Sequence, residues 1–460
     1  MAHGHKIELK QEFFSGNKKA TKFSIILIVV GLLLTIAGVV TLPKNGASHE
    51  GTATETHHDH HDATATTPHL NYYGDHQVNH PLPPPTPEDA GAHKPWYSRI
   101  YANILTNSYF FVLVSGLALF FLALQYIANA GWTTVFKRVI EAVTTFLPIA
   151  AIIMIVILLV GKTDLYHWAH YEHEGLKPGD VGYDKVLSGK SWFLNSSFFI
   201  GGIVLIPLVW ILINRKLSSL SLKEDAEGGL FAFKKSIRWS AAFSVFFAFS
   251  VSVLSWLVVM SIDAHWYSTI FSVYNFATGF VAALCAITLL VLYLKSIGHL
   301  ELVTDEHIHD LGKFIFAFSI FWGYIWIAQF LLIWYAHIPE EVYYYQVRLM
   351  DQWKPYFYIN TVINFVVPFF FLMTRDAKRN PKLLGFVALL LLFGHWIDVY
   401  LMVMPGSIGS LAKFGLLEIG MLLLFSGLFI YLVLIALTKR ALVPINHPYL
   451  EESAHHNVGV

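Results

Sequence analysis

Apolar and polar residues are sorted along this chain into long blocks, without the alternation of a half-buried strand or the one-sided stripe of a surface helix. Ten blocks are apolar nearly all round: 23–42, 109–127, 143–160, 198–213, 239–262, 271–294, 314–334, 356–373, 383–402 and 417–437. Each approaches the roughly 20 residues that carry a helix across a bilayer. A lone helix is the simplest element that satisfies its own backbone in lipid. The expected class is therefore all-α, a polytopic membrane protein of about ten transmembrane helices. Block 23–42 could pass for a secretory leader. Its apolar run is too long, no small-x-small site follows and lysines precede it, so it reads as an uncleaved first helix.

Composition agrees, with 55% hydrophobic and 13% charged residues where soluble domains carry about 25% charge. Lysine plus arginine equal aspartate plus glutamate at 31 each, which points to no polyanionic partner such as nucleic acid. The distribution of positive charge is more telling. With ten helices, 21 of the 31 basic residues fall on the side of the amino terminus, so the positive-inside rule puts both termini in the cytoplasm. The single cysteine, Cys285, excludes an internal disulfide, a Cys-ligated iron–sulfur cluster and a C-x-x-C-H haem site. Of 23 histidines only His395 lies clearly within a span, so neither a redox centre nor a metal site is expected in this chain.

The expected organisation is a tail at 1–22, a first helix at 23–42 and an outer His/Pro/Thr-rich loop at 43–98. A first set of helices at 99–262 and a second at 263–405 follow, then a last helix within 406–440 and a tail at 441–460. The outer loop carries His57-His58-Asp59-His60-His61 and a run of prolines. Its composition reads as a solvated or partner-draped segment, with a metal-binding arm as the sharper alternative.

An ionisable side chain in lipid is costly unless it faces protein, water or a partner, so each one near a span is a candidate. Glu141 enters the third span four residues after Lys137, as an interfacial ion pair or as the mouth of a proton path. The other end of that span carries Asp164, His167 and His170, at the spacing of helical turns, a carboxylate–imidazole arrangement suited to proton handling or to an interfacial belt. The hairpin between the fifth and sixth spans holds Asp263 and His265, and the sixth span then supplies Tyr274 and Asn275. His395 and Asp398 sit three apart within the ninth span, either satisfying each other or facing a protonatable cavity. Asn360, Asn364 and Glu418 lie toward the same outer side.

Several strings carry a family resemblance. They are Lys137-Arg-Val-Ile-Glu141, Ser261-Ile-Asp-Ala-His-Trp-Tyr-Ser-Thr-Ile-Phe271, Asp310-Leu-Gly-Lys-Phe314, Trp322-Gly-Tyr-Ile-Trp-Ile-Ala-Gln-Phe-Leu-Leu-Ile-Trp-Tyr335, Ile338-Pro-Glu-Glu341 and Trp396-Ile-Asp-Val-Tyr-Leu-Met-Val-Met-Pro405. From about residue 99 to the end the chain resembles the NrfD/PsrC family of quinol-interacting membrane subunits. The similarity is closest to the second such subunit of alternative complex III, a quinol:cytochrome c oxidoreductase of bacterial inner membranes.

The resemblance implies two four-helix bundles, spans two to five and six to nine, with spans one and ten peripheral. It also implies iron–sulfur and multihaem cytochrome c partners that hold the haem and the clusters, a homologous sister subunit, and menaquinol or ubiquinol as the possible ligand. On that reading Glu141, Asp164, His167, Asp263, His395, Asp398 and Glu418 are candidates for a proton path. His167, His265, Tyr274 and Asn275 are candidates for quinol binding. The histidine–aspartate pair of the sister subunit's quinol pocket has no clear counterpart, which favours a scaffold and proton-path role. A secondary transporter coupled through the same carboxylates, and a purely structural anchor, are the competing readings.

Overall fold

The computed structural model describes residues 12–42, 94–175, 177–180, 183–349, 351–409 and 414–457. The His-rich run and the prolines of the outer loop lie outside the described residues.

Among the described residues all regular elements are helices. The principal ones are α1 (Lys18–Val40), α2 (Ser98–Ile127), α3 (Lys137–Thr144), α4 (Leu147–Val160), α5 (His167–Glu174), α6 (Ser196–Glu227) and α7 (Phe231–Val258). They continue with α8 (Ile270–Ser296), α9 (Asp305–Ala336), α10 (Pro339–Leu349), α11 (Lys354–Thr361), α12 (Pro381–Ile408), α13 (Leu416–Thr438) and α14 (Leu450–Ala454).

Nine helices among the described residues are long and apolar enough to cross a membrane, with α3 and α4 forming one of them together with the turn before them. The expected eighth span is not a single helix. It runs as α11, a π-helical turn at Val362–Val366 and a short helix at Val367–Phe371. Pro368 is the cause: it has no N–H for the carbonyl of Asn364, and the ladder widens just before it. The polar consequence is that Asn360 and Asn364, one turn apart, are both buried in protein and joined by a hydrogen bond.

The first helix inverts the usual rule for a packed face. Its buried residues are Ser24, Gly31, Thr35 and Gly38, while Ile25, Ile26, Val29, Leu32, Leu33 and Ile36 are exposed. Its partner is α13, which it crosses antiparallel, with Gly38 against Leu417 and Gly31 against Gly420 and Leu424. A Cβ at Gly31 would lie 2.4 Å from the backbone nitrogen of Leu424, so the backbones approach as only glycine allows. In lipid, large apolar side chains gain nothing by leaving the solvent, and small residues that let backbones touch drive association.

Of the membrane-length helices among the described residues, α2 is the most enclosed, and it packs on α4, α7, α8, α12 and α13. Contacts run from α2 to α4, α4 to α6, α6 to α7 and back to α2. A second circuit runs from α8 to α9, on to the broken segment, to α12 and back to α8.

Both ends of the described chain meet at one face. Phe13 pairs with Ala441, and Leu442 N–H donates to the Glu12 carbonyl at 2.8 Å. The segment after α13 then lies across the helix ends. Ser453 Oγ donates to Trp132 O at 3.0 Å, and His456 Nε2 lies 2.9 Å from Asp310 Oδ2. His447 is buried, 3.3 Å from Thr134 Oγ1 and 3.6 Å from Glu224 Oε1, with Phe233 edge-on.

Burial first, then Lys137 and Arg138, lower the His447 pKa to about 2. Docked and released tails are equally neutral above the ordinary pKa of about 6.5. Below it the released imidazole takes up a proton that the docked one refuses, so docking weakens as pH falls from about 6.5 toward 2. Hydrogen exchange of α14, corrected for its intrinsic pH dependence, should accelerate roughly tenfold between pH 7.5 and 5.5. A His447→Gln chain should show no such acceleration; equal pH response in both would remove His447 as the cause.

Candidate functional site

The polar residues of the spans fall into one buried centre, one lock and two clusters at opposite faces. At the centre, Asp398 on α12 is fully buried and accepts hydrogen bonds from four side chains on three helical segments. Asn360 Nδ2 donates to Oδ1 at 2.7 Å, as does the Tyr274 hydroxyl through a short bond. Thr278 Oγ1 donates to Oδ2 at 2.7 Å, and Trp322 Nε1 does so at 3.0 Å. Asn364 Nδ2 supports Asn360 at 2.6 Å. Local periodicity explains the convergence: Tyr274 and Thr278 are one turn apart on α8, and the π turn keeps Asn360 and Asn364 on the α12 side. The four donors are all neutral, and among the described residues no cation pairs with the carboxylate.

His395 lies one turn from Asp398 but does not pair with it. Both ring nitrogens are buried without a hydrogen-bond partner among the described residues, and the ring packs edge-on against Trp322 at 5.7 Å. The mutual lock considered for these two residues is therefore absent. Gly394 lets the eighth span come close here, since a Cβ would lie 2.2 Å from Asn364 Oδ1. That amide oxygen also has no partner. An orphaned imidazole and an orphaned amide oxygen thus flank the carboxylate centre, where each unmade bond costs about 1–3 kcal/mol.

Glu418, fully buried, is an ion-pair lock. Arg99 grips it with two hydrogen bonds of 2.8 Å, and Asn103 Nδ2 and Gly415 N–H also donate, at 3.1 and 2.8 Å. One turn further along α2, Asn107 Oδ1 accepts from Trp396 Nε1 at 3.0 Å. Asn275 lies between spans in the same way, accepting from Tyr109 at 3.0 Å. Tyr274 belongs to the Asp398 centre, so these two quinol candidates do not join the histidine candidates of the hairpin.

At the face away from the termini, Asp263 pairs with Arg348 at 3.1 Å. The Arg348 guanidinium stacks on Tyr344 and donates to the carbonyls of Tyr344, Leu401 and Met402. His265 is bonded to Asp184, and its ring centroid is 6.0 Å from that of His167. Burial raises the Asp184 pKa, but hydrogen bonds from His265 and from the Leu187 and Val186 amides win and hold it low.

Asp164 and His167 are not on one continuous helix, as their spacing suggested. The backbone at Tyr166 is extended and separates the Lys162–Leu165 turn from α5, while the Tyr166 hydroxyl donates to Val258 O at 2.6 Å. Burial raises the Asp164 pKa against the pull of Lys94 and His170. Burial also lowers His167, helped by His265, and lowers Lys94 to about 8 against the opposing charges of Asp164 and Asp263. Beside this cluster opens an apolar cavity of about 260 Å³, lined by Trp192, Phe193, Trp256, Met260, Trp266 and Lys190 among others. The indole N–H groups of Trp256 and Trp266 have no acceptor among the described residues.

At the termini face, Glu141 does not pair with Lys137, the expected partner. It accepts from Arg138 at 2.7 Å, Ser221 at 2.6 Å and Arg440 at 3.2 Å. Lys137 turns instead toward Glu224, 3.8 Å away, and Arg138 also bonds Asp225.

Sequence reasoning did not single out Thr278, Trp322, Arg348, Asp184, Lys94 or Arg99. A weak signal existed for two of them: Thr278 repeats Tyr274 by one turn, and Arg348 is an isolated cation near apolar spans. Among the described residues no group of three or more histidine, cysteine or acidic side chains is placed to hold a metal. Compared with known proteins, the chain matches no family model and no curated protein.

Proposed function

We propose that this chain is an NrfD/PsrC-type integral membrane subunit of a bacterial respiratory quinol:cytochrome c oxidoreductase of the alternative complex III kind. On this reading it lies in the cytoplasmic membrane with both termini inside. It forms two four-helix bundles, a reading supported by the two closed circuits of helix contacts, with α1 and α13 beside them. Electrons travel through haem and iron–sulfur clusters of partner subunits, and this chain supplies scaffold and proton-exchanging groups. The observation that carries the proposal is Asp398, a fully buried carboxylate held by four neutral donors with an unpartnered imidazole one turn away. An intramembrane ionisable group without a counter-ion is a functional site by default.

Menaquinol or ubiquinol is the ligand this reading suggests. The cavity beside Trp256 and Trp266 has the aromatic walls and unused N–H donors that would suit a quinone ring and its carbonyl oxygens. The cluster of Asp164, His167, Asp184 and His265 alongside it would receive protons released on quinol oxidation.

The broken eighth span favours one second reading, a secondary transporter, because interrupted helices at a buried carboxylate are common there. The other interruption, between α3 and α4, falls in the second span of its circuit, whereas the π turn falls in the third span of the other. The two do not correspond, which weakens this reading. Extraction in mild detergent distinguishes them. An iron–sulfur protein and a multihaem cytochrome should co-elute with the chain and give a haem spectrum. Elution alone, with solute uptake by vesicles holding only this chain, would establish the transporter instead.

A further inference from the structure

A second cavity, of about 300 Å³, lies at the termini face between the start of the third span and the end of the tenth. Its walls divide sharply. One part is charged: Arg138, Lys439 and Arg440, with Glu141 as the one carboxylate. The other part is aliphatic, with Ala142, Ile149, Leu432, Ile435 and Leu437.

The cations outnumber their local partners. Glu141 is shared by Arg138 and Arg440 and Asp225 also bonds Arg138, so two carboxylates meet three cations, and the Arg440 side chain remains 32% exposed. Lys439 is exposed, without a side-chain partner among the described residues. Arg138, 3% exposed, stands behind them with its guanidinium held by Glu141, Asp225 and the Ser221 carbonyl, and adds its charge from there. A site with this surplus suits an anion. Lys18, Lys19 and Lys22 strengthen it, since they open α1 at the end that abuts the close of α13.

The aliphatic part says what kind of anion. Thr145 is exposed at the cavity, and Ile149, Ile152, Val156 and Leu159 follow at three- and four-residue spacing. Ile152, Val156 and Leu159 are 59%, 54% and 48% exposed, so they continue the cavity as an apolar stripe along α4. A soluble phosphate would use the cations and leave the stripe bare. A molecule with a phosphate head and acyl chains uses both.

We infer that this cavity is a binding site for an anionic glycerophospholipid, its phosphate held by Lys439 and Arg440 with Arg138 behind them, and an acyl chain laid along Ile149, Ile152 and Val156. Basic pockets between helices at a membrane face bind such headgroups through the sum of their charges. The inference is independent of quinol chemistry.

The test uses the full chain purified in mild detergent and stripped of lipid, with bound lipid counted by native mass spectrometry. Phosphatidylglycerol should be retained in preference to phosphatidylcholine of the same acyl chains, and equimolar inorganic phosphate should not displace it. Removing two charges with Lys439→Gln and Arg440→Gln should weaken phosphatidylglycerol binding about thirtyfold. Ile149→Trp keeps every charge and fills the apolar part, and it should lower retention as well. Equal retention of phosphatidylcholine, or undiminished binding in both variants, would overturn the site. Full displacement by inorganic phosphate would reduce it to an anion site without a lipid. The comparison of two lipids on the native chain stands even if a variant fails to fold.

Discussion

Arg99→Ala is expected to destabilise the folded chain by about 3–5 kcal/mol, because it strands a buried carboxylate. Glu418 is fully buried and Arg99 only 11% exposed, so water cannot replace the lost guanidinium. Asn103 and Gly415 still donate to Glu418, but neither carries charge. The double change Arg99→Met with Glu418→Gln should recover most of the loss, since the glutamine oxygen can still accept and no ion is left unpaired. Thermal unfolding in detergent, run as a double-mutant cycle, measures this directly. Equal loss in the single and double variants would mean that the pair contributes through packing and not through charge.

The second large effect is expected at Asp398, where shape and proton chemistry can be separated. Asp398→Asn keeps the volume and one acceptor oxygen. Trp322 Nε1 can only donate, so the amide oxygen should turn toward it, leaving the new NH2 to face Tyr274 and Asn360. Tyr274 can accept, and Asn360 can do so only by turning its amide away from Asn364. That rearrangement should cost about 1–2 kcal/mol, small enough for the chain to fold and assemble. If Asp398 exchanges protons during turnover, the assembled asparagine variant should lose at least about tenfold in quinol-driven proton uptake, as expected of a group that acts through its proton. Uptake would be followed with a pH indicator in sealed vesicles. Full uptake and turnover in the intact complex would make the centre a packing lock. Asp398→Leu is the contrasting case: Trp322 keeps Thr278 Oγ1 as an acceptor, but Tyr274, Thr278 and Asn360 lose theirs at about 1–3 kcal/mol each, and the variant should fail to accumulate.

These two sites show what could be read from residue order and what could not. The polar positions themselves were legible: Asp398, His395, Glu418 and Asp263 stand out because lipid makes them costly. Their partners were not. Arg99 and Glu418 are 319 positions apart, and the donors to Asp398 come from segments 38 to 124 residues away. The local pairings that spacing suggested failed where a stronger partner stood across a helix interface. Lys137 lost Glu141 to Arg138, Ser221 and Arg440, and His395 lost Asp398 to four neutral donors. The packing of α1 on α13 was equally hidden, because hydropathy registers the large residues that face lipid and is blind to the glycines that make the contact.

By itself the sequence determined that the chain is helical and of membrane type, and where its apolar segments lie. That follows because each helix closes its own backbone hydrogen bonds within some twenty neighbouring residues. Even the break in the eighth span has a local cause, Pro368, although the block 356–373 read as one helix. Only the tertiary structure decided which buried groups meet an opposite charge and which meet neutral donors alone. A side chain's charge is balanced by whatever the packing of distant helices brings within about 3 Å of it, and no local pattern encodes that choice.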